Sequence, residues 1–193
     1  MGNVYVTYAP RYEARRIARL APVQISAQGV VNAASYHPGP VTPGEIVSIF
    51  GSGLAAQLMF LNLDPSGRVA TVLGGTRVFF DDVQAPLIFV YPSQVSAVVP
   101  YAVVGKPTTQ VRVEYLGLAT NLITLPTTSA RPGIFTLDGS GRGQGAILNE
   151  DGTINSPSSP AVQGSIIVIY ATGEGETSPA GVDGRVATDV LPR

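Results

Sequence analysis

The sequence predicts an all-β protein: an immunoglobulin-like β-sandwich followed by a second, truncated β-sandwich module. Three observations point there. The apolar runs are short and rich in Val and Ile, which fit a pleated, half-buried surface. They are punctuated by 22 glycines and 16 prolines, the turn residues that separate the strands of a sandwich. And one passage occurs twice. Gly29-Val30-Val31-Asn32-Ala33-Ala34-Ser35 leads into Gly44-Glu45-Ile46-Val47-Ser48-Ile49-Phe50-Gly51-Ser52-Gly53, and Gly152-Thr153-Ile154-Asn155-Ser156-Pro157-Ser158 leads into Gly164-Ser165-Ile166-Ile167-Val168-Ile169-Tyr170-Ala171-Thr172-Gly173. Internal similarity at a long period means one structural unit used twice.

The elements follow in order. Residues 1–26 carry Arg11, Arg15, Arg16 and Arg19 against Glu13 and read as a linker or the remnant of an upstream domain. Residues 4–7 read as a short strand, and 12–20 as two helical turns with Ile17 and Leu20 on one side. Pro38-Gly39-Pro40 and Pro43-Gly44 turn the chain into a strand at 45–50, buried at a sandwich centre. Further strands are expected at 76–80, 86–91 and 95–99. Residues 109–115 alternate, with Val111, Val113 and Tyr115 facing one way and Arg112 and Glu114 the other. Leu116-Gly117 turns this strand back into 121–125, closing a first module over residues 27–126. The second module, 127–193, holds strands at 133–136 and 145–148 around a Gly-rich loop, a hairpin turn at Asn149-Glu150-Asp151-Gly152, and a buried strand at 166–170.

Several function classes are excluded. No cysteine means no disulfide framework and no thiol chemistry. A formal net charge of −1 does not suit nucleic acid, which is bound through many basic phosphate contacts. No apolar stretch approaches the roughly 18 residues of a membrane span.

The stretch 44–54 resembles the opening of an IPT/TIG-type immunoglobulin-like domain, and Val78-Phe79-Phe80-Asp81-Asp82-Val83-Gln84-Ala85-Pro86 resembles its middle strands. From about Gly29 onward the chain resembles the uncharacterised C-terminal domain family of large secreted acidobacterial (Solibacter-type) proteins. The signatures are Val30-Val31-Asn32-Ala33-Ala34-Ser35, Ala97-Val98-Val99-Pro100-Tyr101, Gly141-Arg142-Gly143-Gln144-Gly145-Ala146-Ile147-Leu148-Asn149 and Tyr170-Ala171-Thr172-Gly173-Glu174-Gly175. That resemblance implies an extracellular or cell-surface setting, with a signal peptide upstream of Met1. It implies no activity. Members commonly follow β-propellers, and Gly2-Asn3-Val4-Tyr5-Val6 resembles the close of an NHL-type propeller repeat. They also continue past the position of Arg193, so the second module is expected to be unfinished, and to pair with another chain or with residues 1–26.

Candidate chemistry is sparse. His37 is the only histidine, so any Ser-His-Asp site must use it, yet no Gly-x-Ser-x-Gly elbow is present. One histidine and no cysteine leave too few ligands for zinc. Calcium needs only oxygens, and Asp138, Ser140, Asn149, Asp151 and Asn155 lie around a Gly-rich loop and a tight turn, although hairpin turns use the same residues for backbone reasons. Residues 139–145 lack the Lys-Ser/Thr of a phosphate loop. Glu174 and Glu176 are the one carboxylate pair for acid–base work on a glycoside; the same charges also keep an edge strand soluble. The eight tyrosines favour core or rim positions over a carbohydrate-stacking row. The leading expectation is a non-catalytic spacer, adhesion or surface-association module. The alternatives are a small hydrolase using Glu174, Glu176 or His37, and a calcium-dependent carbohydrate-binding module.

Overall fold

In a computed structural model, residues 5–8, 16–19 and 23–187 are described. The expected all-β class is found: among these residues the only helical piece is a 3-10 turn at Tyr101–Val103. β1 (Tyr5–Tyr8) and β2 (Arg16–Arg19) pair with each other as a two-stranded antiparallel sheet. The helical reading of 12–20 is therefore corrected where it can be seen, at 16–19; residues 9–15 and 20–22 lie outside the described set. A short segment carrying a β-branched Ile17 has too few residues to nucleate a helix unaided, so a paired strand wins.

One sheet joins β3 (Gln24–Asn32), β4 (Ile46–Ser52), β5 (Met59–Phe60), β8 (Leu87–Tyr91) and β9 (Gln94–Val98) in the order β3-β4-β9-β8-β5. The other joins β6 (Thr76–Phe80), β7 (Val83–Gln84), β10 (Thr108–Tyr115), β11 (Leu118–Ala119) and β12 (Ile123–Pro126), with β10 central between β6 and both later strands. Every strand pairing within these two sheets is antiparallel.

Strand periodicity of two decides which side chains meet between the sheets. Val47 and Ile49 of β4, Val95 and Ala97 of β9, and Leu87 and Val90 of β8 point inward and are buried. They meet Val78 and Phe80 of β6, Val111 and Val113 of β10, and Leu125 of β12. Ile25 joins this core, so the sandwich also takes in the start of β3, upstream of residue 27.

The remaining strands are fragments. β13 (Gly133–Ile134) pairs with β16 (Ala171–Thr172), and β14 (Ile147–Leu148) pairs with β15 (Val168–Ile169). The expectation of a buried strand at 166–170 fails here. Ile166 is 69 % exposed, Val168 47 % and Tyr170 51 %, while Ile167 and Ile169, on the opposite side, are 42 % and 47 % exposed. The first copy of the repeated passage sits between two full-length neighbours, β3 and β9. Among the described residues the second has only two-residue pairings, and the same kind of apolar string stays in solvent.

Candidate functional site

The end of β3 and the segments around Arg131 and Thr172 converge on the joint between the sandwich and the second module. Asn32 ends β3, and its Oδ1 accepts the N–H groups of Ala34 (3.0 Å) and Ser35 (3.1 Å), which turns the chain out of the sheet. Its Nδ2 donates to Glu45 Oε1 (2.8 Å) and to the carbonyl of Arg131 (3.3 Å). Glu45 is wholly buried. Its second oxygen accepts the Thr42 N–H at 2.9 Å, and Arg131 Nη1 lies 3.6 Å from Oε1. Burial pushes the Glu45 carboxyl above its ordinary range, opposed by the Thr42 and Asn32 hydrogen bonds and the Arg131 charge.

Arg131 spends its guanidinium on main chain. It donates to the carbonyls of His37 (2.8 Å), Pro38 (3.1 Å) and Pro40 (3.2 Å). From the second module, Thr172 Oγ1 accepts the Ile46 N–H at 2.7 Å, and within that module the Arg131 N–H donates to the Gly173 carbonyl, which holds Arg131 beside Thr172. Further along, Asp183 Oδ1 accepts the Tyr101 N–H (2.8 Å) and the Gly184 carbonyl accepts the Val69 N–H (2.8 Å). The second module is thus strapped to the first along two lines of polar contacts.

This geometry places each sequence candidate. In Gly173-Glu174-Gly175-Glu176 the glycines are buried and the glutamates exposed. A Cβ on Gly173 would fall 2.1 Å from the Arg131 carbonyl oxygen, and one on Gly175 1.9 Å from that of Ser129. The alternation is therefore a packing requirement: glycine where two backbones touch, glutamate where the segment meets water. His37 is exposed, and what the joint uses is its carbonyl. Among the described residues no ion pair or hydrogen bond joins His37, Glu174 and Glu176. Glu174 lies near the half-buried Tyr101, whose hydroxyl is held above its ordinary range by burial first and by the Glu174 and Asp183 charges second. Glu176 lines a separate recess with Lys106 and Thr127.

The calcium candidates fall in two turns. Asn155 donates to Asn149 Oδ1 (2.9 Å), and Asp151 Oδ1 accepts the N–H and hydroxyl of Thr153. Asp138 closes its own turn by accepting from the N–H and hydroxyl of Ser140. Those bonds hold both carboxyls below the usual range, led by the Thr153 hydroxyl for Asp151 and the Ser140 N–H for Asp138. Among the described residues no three His, Asp or Glu side chains form a metal-holding group.

No family model matches the chain, and no curated protein does.

What the sequence reading missed is the face of the β3-β4-β9-β8-β5 sheet turned away from the core. Phe50, Gln94 and Tyr91 are neighbours in register across β4, β9 and β8, and Ser48, Ser96, Phe89 and Phe60 form the next row. Phe50 is 38 % exposed, Tyr91 47 % and Phe60 68 %. Tyr36 packs against Phe50 with ring centroids 6.5 Å apart. The signal was present as apolar residues at outward-facing strand positions, where an alternating strand ordinarily carries polar ones.

Proposed function

We propose that this chain is a non-catalytic β-sandwich module for surface association, from the C-terminal part of an exported protein. The observation that carries this is the use made of the most recognisable residues. Asn32, Arg131 and Thr172 build a joint between modules, Gly173 and Gly175 let its second-module segments pack together, and Glu45, wholly buried there, is sealed from any substrate. The resemblances to IPT/TIG domains and to the acidobacterial domain family support the extracellular setting. Against a panel of glycoside and ester substrates the protein is expected to show no turnover above buffer. Turnover that Glu174→Gln, Glu176→Gln or His37→Ala abolished would overturn the proposal. Each of these three exposed substitutions is expected to leave stability within about 0.5 kcal/mol of the parent in denaturant unfolding.

A second copy of the chain is the proposed partner of the exposed apolar segment at 166–170. Between Gly164 and Ala171 no charge or proline guards this exposed apolar segment, and such strands template pairing. Sedimentation velocity is expected to show a dimer or larger species that Val168→Lys converts to monomer. A parent chain that sediments only as monomer across the concentration range would remove this partner.

A further inference from the structure

The outward face of the first sheet has the composition of a ligand site and not of a solvated sheet surface. Two exposed rings, Phe50 and Tyr91, stand on β4 and β8 with Gln94 of β9 between them. Strand spacing puts these two strands roughly 10 Å apart, so each ring offers a separate stacking surface. The floor between is polar. Gln94 Nε2 donates to Ser48 Oγ at 3.2 Å, and Ser96 is 3 % exposed with a hydroxyl that has no hydrogen-bond partner among the described residues. At one end the floor deepens into a groove of about 360 Å³. There the second module supplies the wall, through Phe135, Thr136 and Gly139. The 136–144 loop is held in place by the Leu137–Gln144 main-chain bond and by the close approach of Gly141 to the Ser35 carbonyl.

The chemistry narrows the occupant. None of the side chains lining the groove carries a charge, so a phosphate, a sulfated polymer or an ionic peptide gains nothing there. β4, β9 and β8 have a neighbour on each side, so the face offers no free backbone for an added peptide strand. A purely apolar ligand would leave the Gln94 amide oxygen and the Ser96 hydroxyl unpaired against it, which is costly. Flat rings beside hydroxyl and amide groups suit a molecule with C–H faces and neutral hydroxyl edges.

We infer that the face carrying Phe50, Gln94, Tyr91 and Ser96 binds a neutral saccharide chain. Sugar rings lie on Phe50 and Tyr91, their hydroxyls bond to Gln94 and Ser96, and one end enters the groove under Phe135. This rests on the surface-association reading and gives it a ligand class.

Calorimetric titration of the full chain with neutral hexasaccharides of glucose, mannose, xylose and galactose tests it. At least one is expected to bind with an affinity insensitive to salt, because no charge is involved. Tyr91→Ala and Phe50→Ala are each expected to weaken that binding by about tenfold or more, and Gln94→Ala by less. All three leave the melting temperature within a few degrees of the parent, since these side chains lie outside the core. Binding to none of the four sugars, or binding that survives Tyr91→Ala and Phe50→Ala together, overturns the inference. The parent reading is checked separately by retention of the chain on intact bacterial envelopes. Retention without saccharide binding sinks the ligand class alone, and loss of both sinks the two together.

Discussion

Replacing Glu45 with Ala is expected to destabilise the protein by about 3–5 kcal/mol, because it removes one partner of a buried ion pair and leaves the rest in place. Asn32 Nδ2 and the Thr42 N–H lose their acceptor, and Arg131 loses its nearest negative charge. Gln does not rescue the site. A carboxylate accepts at both oxygens, whereas an amide turns its NH₂ toward one of two donors. Urea unfolding checks this, and a loss below about 1 kcal/mol would mean that water replaces the carboxylate. The pH dependence follows from the raised carboxyl. The folded state holds the Glu45 proton more tightly than the unfolded chain does. The stability it adds is therefore full below the unfolded value of 4.5 and declines as pH rises through the higher folded value. Asp138 and Asp151, both lowered, work in the opposite sense and lose their contribution as pH falls through their folded values. Above pH 4.5 the Glu45 limb is read in isolation from them, and Glu45→Gln is expected to flatten it.

Gly175→Ala is expected to be comparably damaging. Its backbone has φ +93°, and a Cβ would lie 1.9 Å from the Ser129 carbonyl oxygen, so the 129–130 and 173–175 segments, both on the second module's side of the joint, must separate locally to admit it. Losses above about 4 kcal/mol are rare for single substitutions and signal a forced backbone shift of this kind. Gly152→Ala is the matched control. It shares the left-handed backbone, φ +83°, but meets nothing within 4 Å. Its cost is expected to be only the conformational one, about 1–2 kcal/mol. Equal melting temperatures for the two variants would show that the joint yields easily and that steric closeness has no bearing on it.

How much of this was legible in the chain depended on distance along it. β10 announced itself, since Val111 and Val113 alternate with Arg112 and Glu114 and a strand buried on one face writes that face into neighbouring residues. Leu116-Gly117 gave the turn that follows, with both residues at positive φ. The strand at 166–170 was misread because a string of Ile and Val says only that burial is available; whether a facing sheet exists is decided elsewhere. The joint was invisible for a related reason. Asn32 and Arg131 are 99 residues apart, and nothing local marks an asparagine that bonds so far away. Glycines 173 and 175 were noticed for the glutamates between and after them, whereas the informative residues were the glycines. The aromatic face was readable in principle, because Phe50 and Tyr91 interrupt the alternation of their strands, but pairing them needed the register.

Arg131 grips the 37–40 loop by three carbonyls and by no side chain. A clamp that reads main chain is indifferent to the exposed side chains it spans and sensitive to residue count. The loop can exchange its exposed side chains, His37 included, without loosening the joint. Inserting or deleting a single residue there shifts all three carbonyls out of register with the guanidinium. For anyone grafting a tag or an epitope onto this protein, substitution at the exposed His37 or Pro38 is the safe edit; replacing Gly39, at φ +149° beside the Arg131 guanidinium, or lengthening the loop is not.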